Sequence, residues 1–133
     1  DFYFAVSSSH ILKSASKFDD YSEEEDALDA YLYEPRSQQN ASVRWVYEDW
    51  SVSLFADRTG HMEAYNGTKT DPHIIMNLST NYRYSPDLSF YLSVRNLEDK
   101  MPQKDAAYGF PYYNQNYFSA FGRYITVGGS YTF

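Results

Sequence analysis

Cysteine is absent from the chain of 133 residues, which excludes a disulfide framework and a thiolate metal site and leaves the redox compartment unmarked. Long apolar runs are absent too. No stretch approaches the roughly 20 consecutive apolar residues of a membrane-spanning helix, so helical spanning is excluded. Positive charge is scarce: eleven Lys and Arg stand against eighteen Asp and Glu, for a net charge of −7. The basic residues are scattered, and phosphate binding needs them clustered, so nucleic acid is excluded as a partner. The opening Asp1-Phe2-Tyr3-Phe4 has neither a basic region nor a small-residue cleavage site, so it does not read as a signal peptide. It reads as a start in mid-strand.

What the chain has in plenty is aromatic residues, 20% of the total, with fifteen Tyr and nine Phe. Tyr has an apolar body and a polar tip, which suits strands with one oily side and ring girdles at an interface. The mean hydropathy is negative. A transmembrane barrel tolerates this, because a polar lumen and long loops dilute its one apolar face.

Strand periodicity is clearest over residues 123–133. Ile125, Val127, Gly129, Tyr131 and Phe133 fall on one side, and Tyr124, Thr126, Gly128, Ser130 and Thr132 on the other. One side is greasy, the other small and hydroxylic. Soluble strands average about 5 to 6 residues and tilted membrane-spanning ones about 9 to 11, so the length favours a membrane.

The same alternation predicts strands over residues 2–13, 38–47, 50–59, 72–84 and 87–97, which with 123–133 makes six of about ten to thirteen residues each. Residues 1–133 thus form one all-β unit, an antiparallel meander. Tight links at Glu48-Asp49 and Ser85-Pro86 alternate with long ones over residues 14–37, 60–71 and 98–122. Every long loop therefore lies at one end of the sheet and every short turn at the other, the asymmetry of outer-membrane barrels. Trp45, Tyr47, Trp50, Tyr82, Tyr84 and Tyr131 gather at the short-turn end as a membrane girdle. Arg44, Arg83, Arg95 and Asp57 take the hydroxylic parity that a wet lumen tolerates, and Arg58 and Arg123 have the oily parity only near the long-loop end.

A transmembrane sheet must close, since an open edge in hydrocarbon strands its backbone groups, and single-chain barrels have about eight strands or more. Six strands therefore predict edges paired by protein outside the chain. Closing segments Val94-Arg95-Asn96-Leu97-Glu98-Asp99-Lys100, Gly109-Phe110-Pro111-Tyr112-Tyr113 and residues 121–133 resemble the carboxy-terminal end of TonB-dependent outer-membrane receptors. Glu34-Pro35 leading into residues 38–47, and the hairpin through Trp50, are similar to that family's preceding strands. Glu98 departs from the aromatic or apolar residue common in that family's Asn-Leu-x-Asp motif, and Met101 from a frequent aromatic.

The resemblance implies the C-terminal part of a large, roughly 22-stranded outer-membrane β-barrel plugged by an N-terminal domain. It implies energy-coupled import of a scarce nutrient, an iron chelate, vitamin or glycan, across the outer membrane of a Gram-negative bacterium. Partners implied are the remaining barrel strands and plug, outer-membrane lipids, the barrel-insertion machinery and, through the missing N-terminal part, the inner-membrane energy-coupling complex. Two alternatives stay open: a secreted soluble β-sandwich binding module, and a plugless porin.

No catalytic constellation emerges, and no cofactor or metal is expected, because His10, His61 and His73 are far apart at different predicted heights. The acidic stretch with Asp19, Asp20, Glu23, Glu24, Glu25, Asp26 and Asp29 lacks the spacing and central Gly of a calcium loop and reads as a solvated loop. Candidate ligand contacts are the loop aromatics Tyr65, Tyr112, Tyr113, Tyr117 and Phe118, whose alternative use is packing loop on loop, with Arg44, Arg83 and Arg95 in lumen positions to meet an anionic ligand or to pair with plug or wall carboxylates. Phe133, Tyr131, Val127 and Ile125 resemble the terminal signal read by the insertion machinery. Phe133→Ala is expected to reduce insertion of the full receptor; normal surface levels and normal heat-modifiability in that mutant contradict the assignment.

Overall fold

The computed structural model describes residues 1–12, 15–16, 25–26, 35–62, 69–105, 108–110 and 112–133. These form eight strands: β1 (Phe2–His10), β2 (Ala15–Ser16), β3 (Glu25–Asp26), β4 (Ser37–Tyr47), β5 (Trp50–Thr59), β6 (His73–Arg83), β7 (Leu88–Arg95) and β8 (Tyr124–Tyr131). Six of them make one antiparallel sheet in the order β1-β4-β5-β6-β7-β8, a meander in which chain neighbours are sheet neighbours. The two-residue strands β2 and β3 pair with each other within the acidic stretch, a feature the charge run conceals. Asp19, Asp20, Glu23, Glu24 and Asp29 lie outside the described residues, as does Tyr65.

Register does the sorting of side chains. Phe4, Val43, Leu54, Leu78, Val94 and Ile125 follow one another across the six strands, each opposite the next. Below them runs a second apolar row, Phe2, Trp45, Val52, Thr80, Leu92 and Val127. The opposite face carries rows such as Tyr3, Arg44, Ser53, Ser79, Ser93 and Thr126. Because the side-chain period is 2, the alternation is shared by all six strands without a break.

The sheet is one layer. Met62 and Val94 are the buried hydrophobic side chains among the described residues, whereas Phe4 is 72% exposed, Val6 80% and Val127 73%. Within the sheet, β1 and β8 each pair with a single strand, so each has one open edge. The apolar face ends in a polar rim at the long-loop end, where the Arg58 guanidinium donates to Gln39 Oε1 at 3.1 Å and to Ser37 Oγ at 3.5 Å.

The tight links are built from local chemistry. Tyr47 sits opposite Trp50, so Glu48 and Asp49 alone reverse the chain, with Glu48 at a φ of 50°. A left-handed φ at a residue other than Gly costs about 1–2 kcal/mol, which the long flanking ladder outweighs. At the second link the Leu88 N–H donates to Ser85 Oγ at 3.1 Å, and Pro86 presets the bend. The strands of the large sheet run from 8 to 11 residues: β5 has the expected bounds and β4 gains one residue, whereas β1, β6, β7 and β8 are shorter than the alternation suggests. The reason is clearest at β7, which stops at Arg95 because Asn96 turns the chain with a φ of 52°.

Candidate functional site

The connection over residues 96–123 folds back over the polar face and encloses with it a cavity of about 420 Å³. The floor is assembled by strand parity. Asp57 and Thr59 of β5 stand opposite Ile75 and His73 of β6, and Arg95 of β7 stands opposite Tyr124 of β8. All six line the cavity, with Asn77 beside them, and Tyr117, Phe118, Ser119 and Phe121 make its roof. Space for the cavity comes from the length mismatch of β6 and β7: their ladder starts at Leu78 opposite Val94, so residues 73–76 extend beyond the end of β7 at Arg95.

Asn77 ties floor to loop. Its Nδ2–H donates to Asp57 Oδ2 at 3.3 Å, and its Oδ1 accepts the Asn96 N–H at 3.0 Å. The roof meets the floor where the Phe118 ring stands edge-on to His73, with centroids 5.1 Å apart. Behind that contact lies a small crevice of about 30 Å³ lined in part by Met62, His73, Asn114 and Phe118. There the Thr70 N–H donates to the Met62 carbonyl at 2.7 Å, and the Asp71 N–H to Gln103 Oε1 at 3.0 Å, so the preceding loop props the last one.

The cavity is amphipathic: Arg95, His73 and Asp57 supply charge or hydrogen bonds, while Tyr117, Phe118, Phe121, Tyr124 and Ile75 supply ring and aliphatic surface. Such a mixture can hold a ring-bearing ligand by stacking and orient it by a few polar contacts.

Of the ligand contacts expected from sequence, Arg95, Tyr117 and Phe118 meet in this cavity. Tyr113 braces the roof from within, its Oη accepting the Ala120 N–H at 3.2 Å. Tyr112 lies elsewhere, exposed and edge-on to Phe110, with a φ of 68°. Tyr65 is outside the described residues. Arg44 and Arg83 share the polar face but not the site. Arg44 is four residues along β4 from the level of Asp57, about 13 Å, and Arg83 is six along β6 from Asn77, about 20 Å. Arg44 donates through Nε to Ser51 Oγ at 3.2 Å, and Arg83 pairs with Asp49 across the neighbouring turn, Nη2 to Oδ1 2.9 Å.

On the apolar face, Trp45 and Tyr47 stack with centroids 5.9 Å apart, and Trp50 and Tyr82 with centroids 4.4 Å apart. Tyr84 and Tyr131 extend this belt, exposed, and Tyr131 lies 5.8 Å from Phe133 between ring centroids. Ile125 and Val127 are exposed on the same face of edge strand β8. Asp57, Thr59, His73, Asn77, Asn96 and Tyr124 were not singled out by sequence as site residues. Their polar-face parity was a usable signal for all but Asn96; what was missing was the loop that covers them.

A single-layer antiparallel meander with one apolar and one polar face is the architecture of a segment of β-barrel wall. Among solved structures, the chain is similar to a mutant of the ferric enterobactin receptor of Pseudomonas aeruginosa, with a TM-score of 0.55 and 22% identity over 73% of this chain and 16% of that one. At that identity the likeness concerns the fold, and the chain spans a small part of the receptor's length. No protein-family model matches the chain, and no curated protein does.

Asn77→Ala removes both the acceptor for the Asn96 N–H and the donor to Asp57. It should speed hydrogen exchange at the Asn96 amide about tenfold, the equivalent of ~1.4 kcal/mol for a buried donor left unmade. An unchanged rate would show that Asn77 does not tie the loop to the floor.

Proposed function

We propose that this chain is part of the wall of a large outer-membrane β-barrel, the carboxy-terminal portion of a TonB-dependent receptor that imports a scarce nutrient such as an iron chelate, vitamin or glycan. The observation that carries the reading is the register: it collects apolar side chains on one uncovered face and serine, asparagine and arginine on the other. The apolar face meets lipid and the polar face the lumen. From Ile74 to Tyr84 the outward parity covers ten residue steps, about 33 Å along the strand, or about 25 Å of height at a tilt near 40°. That matches the apolar band of an outer-membrane barrel, with stacked rings at its lower border and the Arg58 rim at its upper one.

The likeness to the ferric enterobactin receptor supports the same fold-level reading. In this role the open edges of β1 and β8 pair with further strands of the barrel, a plug domain meets the polar face, and the long loops face outward. Insertion machinery and the inner-membrane energy-coupling complex are partners of the intact receptor. The cavity beneath the last loop is where the wall contacts ligand, by binding and not by catalysis.

A soluble β-sandwich needs a second sheet across the apolar face. Among the described residues, the strands outside the six-stranded sheet are β2 and β3, two residues each.

Leu92 and Ser93 stand at mid-height on opposite faces, beside Val127 and Thr126 respectively. Leu92→Arg would place a guanidinium in lipid at about 2–4 kcal/mol and should block assembly of the full receptor, whereas Ser93→Arg points into a wet lumen and should be tolerated. Equal yields of the two folded variants would refute the lipid-face assignment.

A further inference from the structure

We propose that Asn96 and Asp99 are positioning residues: with Gly122 they fasten the two feet of the last loop to each other, and this clasp sets where the cavity roof stands above the wall. The inference concerns only wall and loop, and holds whichever ligand the barrel takes.

One foot leaves β7 at Asn96, and the other enters β8 at Tyr124. Asn96 is 6% exposed, and its side chain is nearly saturated with bonds inside the loop. Nδ2–H donates to the Lys100 carbonyl at 2.8 Å and to the Phe121 carbonyl at 3.3 Å, while Oδ1 accepts the Lys100 N–H at 2.8 Å. Asn96 thus holds its own foot in a turn and reaches across to the other. Asp99 makes the second crossing, its Oδ1 accepting the Arg123 N–H at 2.7 Å.

The crossing is close enough to require a particular residue on the far side. A Cβ on Gly122 would lie 2.6 Å from Asp99 Oδ1, so a side chain there has to turn the Asp99 carboxylate off the Arg123 N–H or part the feet. Both clasp residues also adopt left-handed backbone, φ 52° at Asn96 and 57° at Asp99, which Asn and Asp tolerate better than other residues except Gly. The clasp is anchored to the wall by the Asn96 N–H on Asn77 Oδ1 and by the Leu97 N–H on the Met76 carbonyl at 2.7 Å.

Above the clasp the roof is braced within itself by Tyr113 and Ala120, and it touches the wall through Phe118 and His73. Phe110, farther along the loop, is 86% exposed. Roof height is therefore set at the base of the loop.

Since the chain has no cysteine, pairs of cysteines can be introduced for spin labels in the intact, membrane-assembled protein. A roof-to-wall pair at Gln115 and Asn81 should give one narrow distance by double electron–electron resonance. Asn96→Gly permits the positive φ but removes the side-chain bonds, and should abolish the narrow peak while leaving a wall-to-wall pair at Gln38 and Asn81 unchanged. Gly122→Ala should do the same without removing any hydrogen-bonding group, and it decides the matter if Asn96→Gly does not assemble. Asn96→Asp, which keeps the acceptor for Lys100 and loses both donors, should give partial broadening. The proposal is overturned if the roof-to-wall peak stays narrow in Asn96→Gly and Gly122→Ala, or if the wall-to-wall peak is lost along with it.

Discussion

Pairing register is the constraint on which everything else in this molecule depends. Five strand interfaces each bring like-facing residues opposite one another, and a slip of one residue at any of them would turn an apolar row toward the polar side. In a soluble protein such a sheet would be held by a packed core. Here the described residues bury few apolar side chains, and the fold is carried by backbone ladders and by cross-strand contacts such as Trp50 on Tyr82. An apolar face of this extent is stable where hydrocarbon replaces the missing layer, which ties the register directly to the proposed location.

The candidate site is built at the end of the sheet where this regularity stops. The β7 strand ends three residues after Leu92 and leaves the start of β6 extending past it, so the last loop can fold inward over Asp57, His73 and Asn77. The sheet thus supplies both an exposed apolar face and, on the other side, a half-enclosed amphipathic cavity. The arginines at the short-turn end serve other purposes. Arg83 is engaged with Asp49 at an exposed site, where an ion pair contributes about 0–1 kcal/mol and serves mainly to align the hairpins.

Much of the meander was legible because period-2 alternation is a local property of each strand, and the all-β fold follows from it with the loop-length asymmetry. Strand ends were less legible, since Arg95 and Asn96 look alike to a periodicity argument until the backbone of Asn96 is seen to turn. The cavity was legible in part: Tyr117 and Phe118 stand out as loop aromatics, and Arg95 as a polar-face charge. Its floor was not, because Asp57, His73 and Asn77 are ordinary polar-face residues until a segment more than twenty residues beyond β7 lands on them. Apolar residues on the polar side, such as Phe55 opposite Ser42 and Asn77, show the limit of reading faces from hydrophobicity alone.

Phe55 also offers the most direct test of the central claim, that register and not local hydrophobicity fixes which side meets lipid. Single cysteines for spin labels at Val52, Ser53, Leu54, Phe55 and Ala56, in the intact protein reconstituted into liposomes, can be probed by collision with oxygen and with a water-soluble nickel chelate. The account predicts oxygen access at positions 52, 54 and 56 and nickel access at 53 and 55. Oxygen access at position 55 equal to that at 54, or no alternation along the strand, would contradict it.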